Sequence, residues 1–205
     1  MACSVQKDPR IEYLNHLCKS NQFDHALKVA YSMDEEGVRI PRDAIYKILQ
    51  GCSKDLKNAT QINTILIHNR LERVSVLGDH LIRLFVSCAS LNDAQQVFLR
   101  IPKPSIYTWN AIISAHAKLG EESSAMALFY RMMEKDHHIK PNRITFLTLL
   151  KKCNGCDPRA RIEGMILHDY IFRTEHIADV AILNTIIDMY AKCGCLTEAY
   201  SIFDK

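Results

Sequence analysis

The residues that first suggest chemistry are two cysteine clusters, Cys153-x-x-Cys156 and Cys193-x-Cys195. A structural zinc ion takes four Cys or His ligands converging as a tetrahedron, so two close pairs are the raw material for one. No histidine stands at ligand spacing beside either pair, and the surrounding periodicity puts the pairs at the ends of two different helices. They read better as small apolar packing residues. A zinc-dependent nucleobase deaminase needs His-x-Glu and Pro-Cys-x-x-Cys. Here Lys152 precedes Cys153, and none of the nine histidines is followed two residues later by Glu. His137-His138 falls in a loop insertion and reads as surface decoration. With no glycine-rich phosphate loop and no nucleophile–base pair, the sequence carries no catalytic constellation, metal site, cofactor site or small-molecule substrate site.

What such residues would need is a scaffold, and composition bounds it. Of 205 residues, 48% are hydrophobic and 24% charged, the balance of a folded globular chain rather than a disordered one. Only seven Gly and six Pro argue against a turn-rich all-β fold. No run of 18 apolar residues spans a membrane. The N-terminus, MACSVQKDPR, lacks the apolar centre of a secretory signal and is too poor in Arg for a transit peptide. Eight cysteines in a chain this large, without a secretory signal, are expected as reduced thiols. The net charge of +3 permits nucleic-acid binding without showing it, since the footprint of such binding is clustered charge.

The chain repeats itself. Asp79-HLIRLFVSCAS, Asn110-AIISAHAKLG and Asn184-TIIDMYAKCG align without gaps, and each is followed by a second apolar stretch with one small Ala. Ala26, Ala94, Ala125 and Ala199 are spaced 68, 31 and 74 apart, which are one or two units of about 31–37 residues. Two further units begin near Ile45 and Ile144, with second stretches ATQINTILIHNRL and EGMILHDYIFR. Apolar residues inside each half recur at helical spacing, as in Ile182, Ile186 and Tyr190. Gly120, Gly194 and the Pro turns at 101–104 and 140–142 mark short loops. One helical hairpin cannot bury its apolar face, but stacked hairpins share a core. The fold predicted is all-α, a right-handed α-solenoid of about five and a half helix-turn-helix repeats in a single domain.

The unequal unit lengths do not suit tetratricopeptide repeats. Thr108-Trp109-Asn110-Ala111-Ile112-Ile113-Ser114, Ile139-Lys140-Pro141-Asn142, Asp188-Met189-Tyr190-Ala191-Lys192-Cys193-Gly194 and Ala199-Tyr200-Ser201-Ile202-Phe203-Asp204 resemble the pentatricopeptide repeat (PPR) family, and more narrowly its land-plant PLS subclass. The resemblance covers nearly the whole chain and is most specific from Asp179 to Lys205. It implies standard, long and short repeats over residues 7–41, 42–74, 75–105, 106–142, 143–179 and 180–205, the last cut inside its second helix. An array ending on an open apolar edge is expected to be the N-terminal fragment of a longer protein.

The same resemblance implies single-stranded RNA as partner, each repeat reading one base. One reader is the fifth residue of the first helix and the other is the last residue of the repeat. Carried over, these are Asn110 with Asn142, Asp79 with Ser105, and Asn184. An Asn amide both donates and accepts, which suits a pyrimidine edge, cytosine or uracil. Asp79 departs from the usual Asn, Thr or Ser and accepts only. Tyr107 and Ile144 hold the base-flanking second positions. Tyr46 and Leu147, in long repeats, and Ile11 are poor readers, and Trp109 is expected to pack between helices. Lys19, Lys54, Lys118 and Lys192 recur at the thirteenth position, where they are placed either to contact phosphates or simply to complement the helix C-terminus.

The function implied is a sequence-selective RNA-binding module of a mitochondrial or chloroplast protein, a specificity factor for C-to-U RNA editing, with other RNA-editing or RNA-processing proteins as further partners. The organelle address would lie outside this chain. The alternative is a protein–protein interaction scaffold within an RNA-processing complex, since α-solenoids bind proteins as readily as RNA.

Overall fold

The computed structural model describes residues 8–135, 139–153, 157–174 and 179–204. Lys7, the His137-His138 insertion, Gly155, Cys156 and Lys205 lie outside them. The described residues form twelve α-helices and no strand. In order these are α1 (Pro9–Lys19), α2 (Phe23–Glu35), α3 (Arg42–Gly51), α4 (Leu56–His68), α5 (Ser75–Ser87) and α6 (Leu91–Arg100), then α7 (Ile106–Lys118), α8 (Glu122–Lys135), α9 (Arg143–Leu150), α10 (Pro158–Phe172), α11 (Val180–Lys192) and α12 (Leu196–Phe203). No helix among them is long and apolar enough to cross a membrane.

Two compact units are present, Met1–Pro104 and Ser105–Lys205. In the first, α1, α3 and α5 pack side by side in that order, with α2 and α4 against one another behind them and α6 on α5. In the second, α7, α9 and α11 form the same kind of row, backed by α8, α10 and α12. Odd-numbered helices are thus the first helices of hairpins, and even-numbered ones the second.

Local chemistry sets the hairpin turns. After α1, α5, α7 and α11 the backbone enters the left-handed region at Asn21, Ala89, Gly120 and Gly194, with φ of 57°, 56°, 82° and 73°. The next residue then donates its N–H back to the third-last residue of the helix: Gln22 to Leu17, Ser90 to Phe85, Glu121 to His116 and Cys195 to Tyr190, at 2.9–3.0 Å. This is the Schellman closure, which satisfies carbonyls the helix end leaves open and turns the chain within two residues. The other two hairpins leave their first helices differently among the described residues: Cys52 leaves α3 in an extended conformation, and Lys151 continues from α9 in a right-handed one. The chain therefore contains two kinds of hairpin.

Small residues let paired helices approach. Ala26, Ala94, Ala125 and Ala199 are all buried on second helices. In the two units where the sequence leaves this position open, Ala59 on α4 and Gly164 on α10 are buried. A Cβ at Gly164 would sit 2.6 Å from Met189 Sδ and 3.3 Å from Cys153 Cβ, so any larger residue there would force the Met189 side chain of α11 to shift. Around these contacts Leu14, Leu27, Ile48, Ile62 and Phe85 fill the core of the first unit. Trp109, Phe129 and Phe146 fill that of the second, where Phe129 stands edge-on to Phe146 and Tyr170, themselves tilted against each other, with centroids 5.9–6.4 Å apart. Each fully buried side chain of this size contributes about 1.5–3 kcal/mol. Trp109 is accordingly a packing residue, 2% exposed.

Candidate nucleic-acid interface

The residue just before each first helix is its N-cap: Pro41, Val74, Ser105, Asn142 and Asp179 precede α3, α5, α7, α9 and α11. At α9 the N-cap side chain sits at the helix mouth, beside the fifth residue of α7. Geometry thereby brings together two residues more than thirty positions apart.

At α7 and α9 this happens fully. Asn142 caps α9, its Oδ1 accepting from the N–H of Ile144 at 3.0 Å and of Thr145 at 3.2 Å. Asn110, the fifth residue of α7, donates from Nδ2 to the same Oδ1 at 3.1 Å. Thr145 Oγ1 donates to Asn110 Oδ1 at 2.6 Å and accepts from Asn142 N at 3.1 Å. Asn110 is 8% exposed and Thr145 fully buried, while Asn142 remains half-buried. Tyr107 on α7 and Ile144 on α9, both at second positions, are exposed by 60% and 54%. Large apolar side chains held open beside a polar pair are suited to stacking on a planar ligand.

The other positions differ. Asn184 is exposed on α11. Asp79 is buried on α5 in the first unit, and Ser105 opens the second, where its hydroxyl accepts from Thr108 N at 3.2 Å and completes a capping box with the Thr108 side chain. Asp179 caps α11 through the N–H groups of Ala181 and Ile182 and pairs with Arg143 Nε at 2.7 Å. Burial alone would raise its pKa, but those hydrogen bonds and the guanidinium outweigh it and hold the carboxyl below its usual range. Tyr46 stands edge-on to His80 at 5.2 Å, and Leu147 and Ile11 are half-buried.

Three of the four lysines share one structural place. Lys19, Lys118 and Lys192 are the last residues of α1, α7 and α11, each exposed. Lys192 is held by Asp188 at 2.6 Å, one turn earlier. Lys54 departs from the sequence expectation of a helix end. α3 stops at Gly51, because the extended Cys52 ends the helix early, and Lys54 lies exposed in the loop before α4. Val76, exposed by 46% at the second position of α5, matches Tyr107 and Ile144 and escaped the sequence reading. Its signal was there, a branched apolar residue three before Asp79.

The cysteines take different environments. Cys153 is buried, its thiol pushed up to about 12, chiefly by desolvation. Cys193 Sγ donates to the Cys153 carbonyl at 3.5 Å. Among the described residues no three His, Cys, Asp or Glu side chains gather where they could hold a metal ion.

Comparison with known proteins adds the following. Residues 101–155 match the pentatricopeptide repeat domain and residues 181–205 the PPR repeat. A pentatricopeptide repeat-containing chloroplastic protein of Arabidopsis thaliana is 28% identical over 94% of this chain and 22% of its own length. A mitochondrial one from the same plant is 30% identical over 80% of this chain and 24% of its own. The chain thus spans about a quarter of the length of these relatives. The crystal structure of the pentatricopeptide repeat protein PPR10 in complex with an 18-nt psaJ RNA element superposes with a TM-score of 0.58 at 18% identity, covering 100% of this chain and 29% of that one. The maize PPR10 structure gives 0.52 at 19% identity, with 93% and 32% covered. At these identities the likeness is one of fold, a helical-repeat solenoid.

Proposed function

Because this chain belongs to the pentatricopeptide repeat family, we propose that it is a single-stranded RNA-binding module of an organellar protein. In this reading α7 and α9 accept one pyrimidine between Tyr107 and Ile144 and read its edge through Asn110 and Asn142. The observation that carries it is the hydrogen bond joining those two asparagines beside two exposed apolar side chains. Lys19, Lys54 and Lys118 add sequence-independent attraction for phosphates. Asn184 reads a further pyrimidine. The structure of PPR10 with RNA and the chloroplastic and mitochondrial relatives support partner and compartment. The finer reading is a PLS-type specificity factor for C-to-U editing, working with other RNA-processing proteins.

The test is fluorescence anisotropy of the chain with short labelled pyrimidine-rich and purine-rich RNAs at two salt concentrations. Affinity of about micromolar or weaker is expected from so few readers. The pyrimidine preference falls in Asn110→Ala, and the salt slope falls in Lys118→Ala. Equal binding to both RNA classes refutes the base selectivity, and absence of binding to either refutes the RNA reading. A protein scaffold then takes its place, favoured by Ile162, Met165 and Ile166, which stand 42–55% exposed together on α10.

A further inference from the structure

Between the C-terminal end of α3 and the neighbouring α5, within the first unit, lies a cavity of about 360 Å³. Its apolar lining is Leu49, Cys52 and Leu84, each 6% exposed. The rest of the lining is cationic and polar. Lys54 comes from the loop after α3 and Arg83 from α5, both exposed, and Gln50 adds an exposed amide at the end of α3. Among the described residues no carboxylate lines the cavity. The nearest acids are engaged elsewhere: Asp24 accepts from Ser53 N and Asn58 Nδ2, Asp55 caps α4 through Asn58 N, and Asp79 is buried on α5. Arg10, Arg143, Arg173 and Lys192 are neutralised by carboxylates, whereas Lys54 and Arg83 make no hydrogen bond or ion pair among the described residues. A larger cavity of about 610 Å³, at the ends of α2 and α4, holds Arg39 and Arg70 together with Asp34 and Glu35, so its charges cancel.

His80 completes the cationic cavity. Its ring stands edge-on to Tyr46 of α3 at 5.2 Å. Burial, helped by Arg83 and opposed by Asp79, pushes its pKa below the ordinary histidine value. At pH 7 the ring is therefore neutral and offers one N–H.

We infer that this cavity is a binding site for a phosphoryl oxyanion, held by Lys54 and Arg83 with the Gln50 amide and the His80 ring as neutral donors. A guanidinium fork and an ammonium both match phosphoryl oxygens, and the apolar lining strengthens their pull by lowering the local dielectric. The site stands apart from base reading at α7 and α9 and does not depend on the chain binding RNA. The oxyanion is carried either by a small phosphate-bearing molecule or by an RNA backbone, and two arms of one experiment separate these sources.

The first arm follows the His80 ring protons by NMR, assigned with His80→Gln, as inorganic phosphate replaces chloride at constant ionic strength. Wild type should show a saturable shift, and the His80 titration midpoint should rise in phosphate, because a bound anion favours the imidazolium. Arg83→Gln, an exposed change checked by circular-dichroism melting, should weaken saturation about tenfold through loss of one charge-assisted hydrogen bond. No saturable shift in wild type, or saturation unchanged in folded Arg83→Gln, overturns the site. The second arm measures anisotropy of short labelled single-stranded RNA across salt concentrations. A slope of log affinity against log salt that falls by about 0.7 in Arg83→Gln supports the site and assigns its oxyanion to the RNA backbone. A slope left unchanged, with phosphate still saturating in the first arm, supports it as a site for a small phosphate-bearing molecule. Failure of wild type to bind RNA overturns the RNA-binding reading alone, and the first arm then decides the site.

Discussion

Replacing Asn142 by Ala or by Asp separates its two structural duties from its exposed donor. In Asn142→Ala, α9 loses the acceptor for two backbone N–H groups, a cap whose removal costs about 1 kcal/mol. Asn110 Nδ2 loses its partner as well, at a site 8% exposed, and an unsatisfied buried donor costs about 1–3 kcal/mol. Some of that returns as water enters, leaving about 2–3 kcal/mol. For a chain of this size the melting temperature should drop by about 4–12 °C. Asn142→Asp keeps an acceptor at both places. Asp caps as well as Asn, and its charge at the helix N-terminus adds about 0.3–1 kcal/mol. At pH 7 it should match or exceed wild type. Urea unfolding followed by circular dichroism measures both, with the slope checked for constancy. If Asn142→Asp is as unstable as Asn142→Ala, or Asn142→Ala costs less than about 0.5 kcal/mol, the cap does not join α7 to α9 as argued.

Three other outcomes are expected. Ala89→Gly should stabilise the chain by about 0.5–1 kcal/mol in the same assay, because φ of 56° strains a residue with a Cβ. Native-state alkylation at pH 8, read by mass spectrometry, should spare Cys52 and Cys153. Desolvation, the larger cause for both, pushes their thiols to about 11 and about 12; among the described cysteines the half-buried Cys88, Cys193 and Cys195 should label before them. Asp24 ties the start of α2 to the α3–α4 loop, accepting from the Ser53 hydroxyl and from Ser53 N at 2.7 Å, and these bonds hold its carboxyl below the usual range. The stability it adds is therefore present above the unfolded value near pH 4 and fades as pH falls through the lower folded value. The stability difference between wild type and Asp24→Asn should shrink between pH 5 and pH 2, and a difference that grows on acidification would contradict the assignment.

Periodicity alone determined that the chain is helical and repeated. Apolar side chains at helical spacing must share a face, and a small Ala once per unit marks where a second helix meets its partner. The pairing of Asn110 with Asn142 came from the resemblance to pentatricopeptide repeats and not from periodicity. Tertiary structure decided what those residues could present. Asn21 and Ala89 carry no glycine signal yet take left-handed turns, because the Schellman bonds at those helix ends compensate the strain. Gly164 reads as a weak helix residue until Met189 crosses it. Lys54 fits the lysine pattern by count, but the extended Cys52 leaves it in a loop. The asparagine pair is the sharpest case. In sequence each amide is both donor and acceptor, and only the fold sets their orientation: the α9 backbone N–H groups turn Asn142 Oδ1 inward, where it accepts from Asn110 Nδ2.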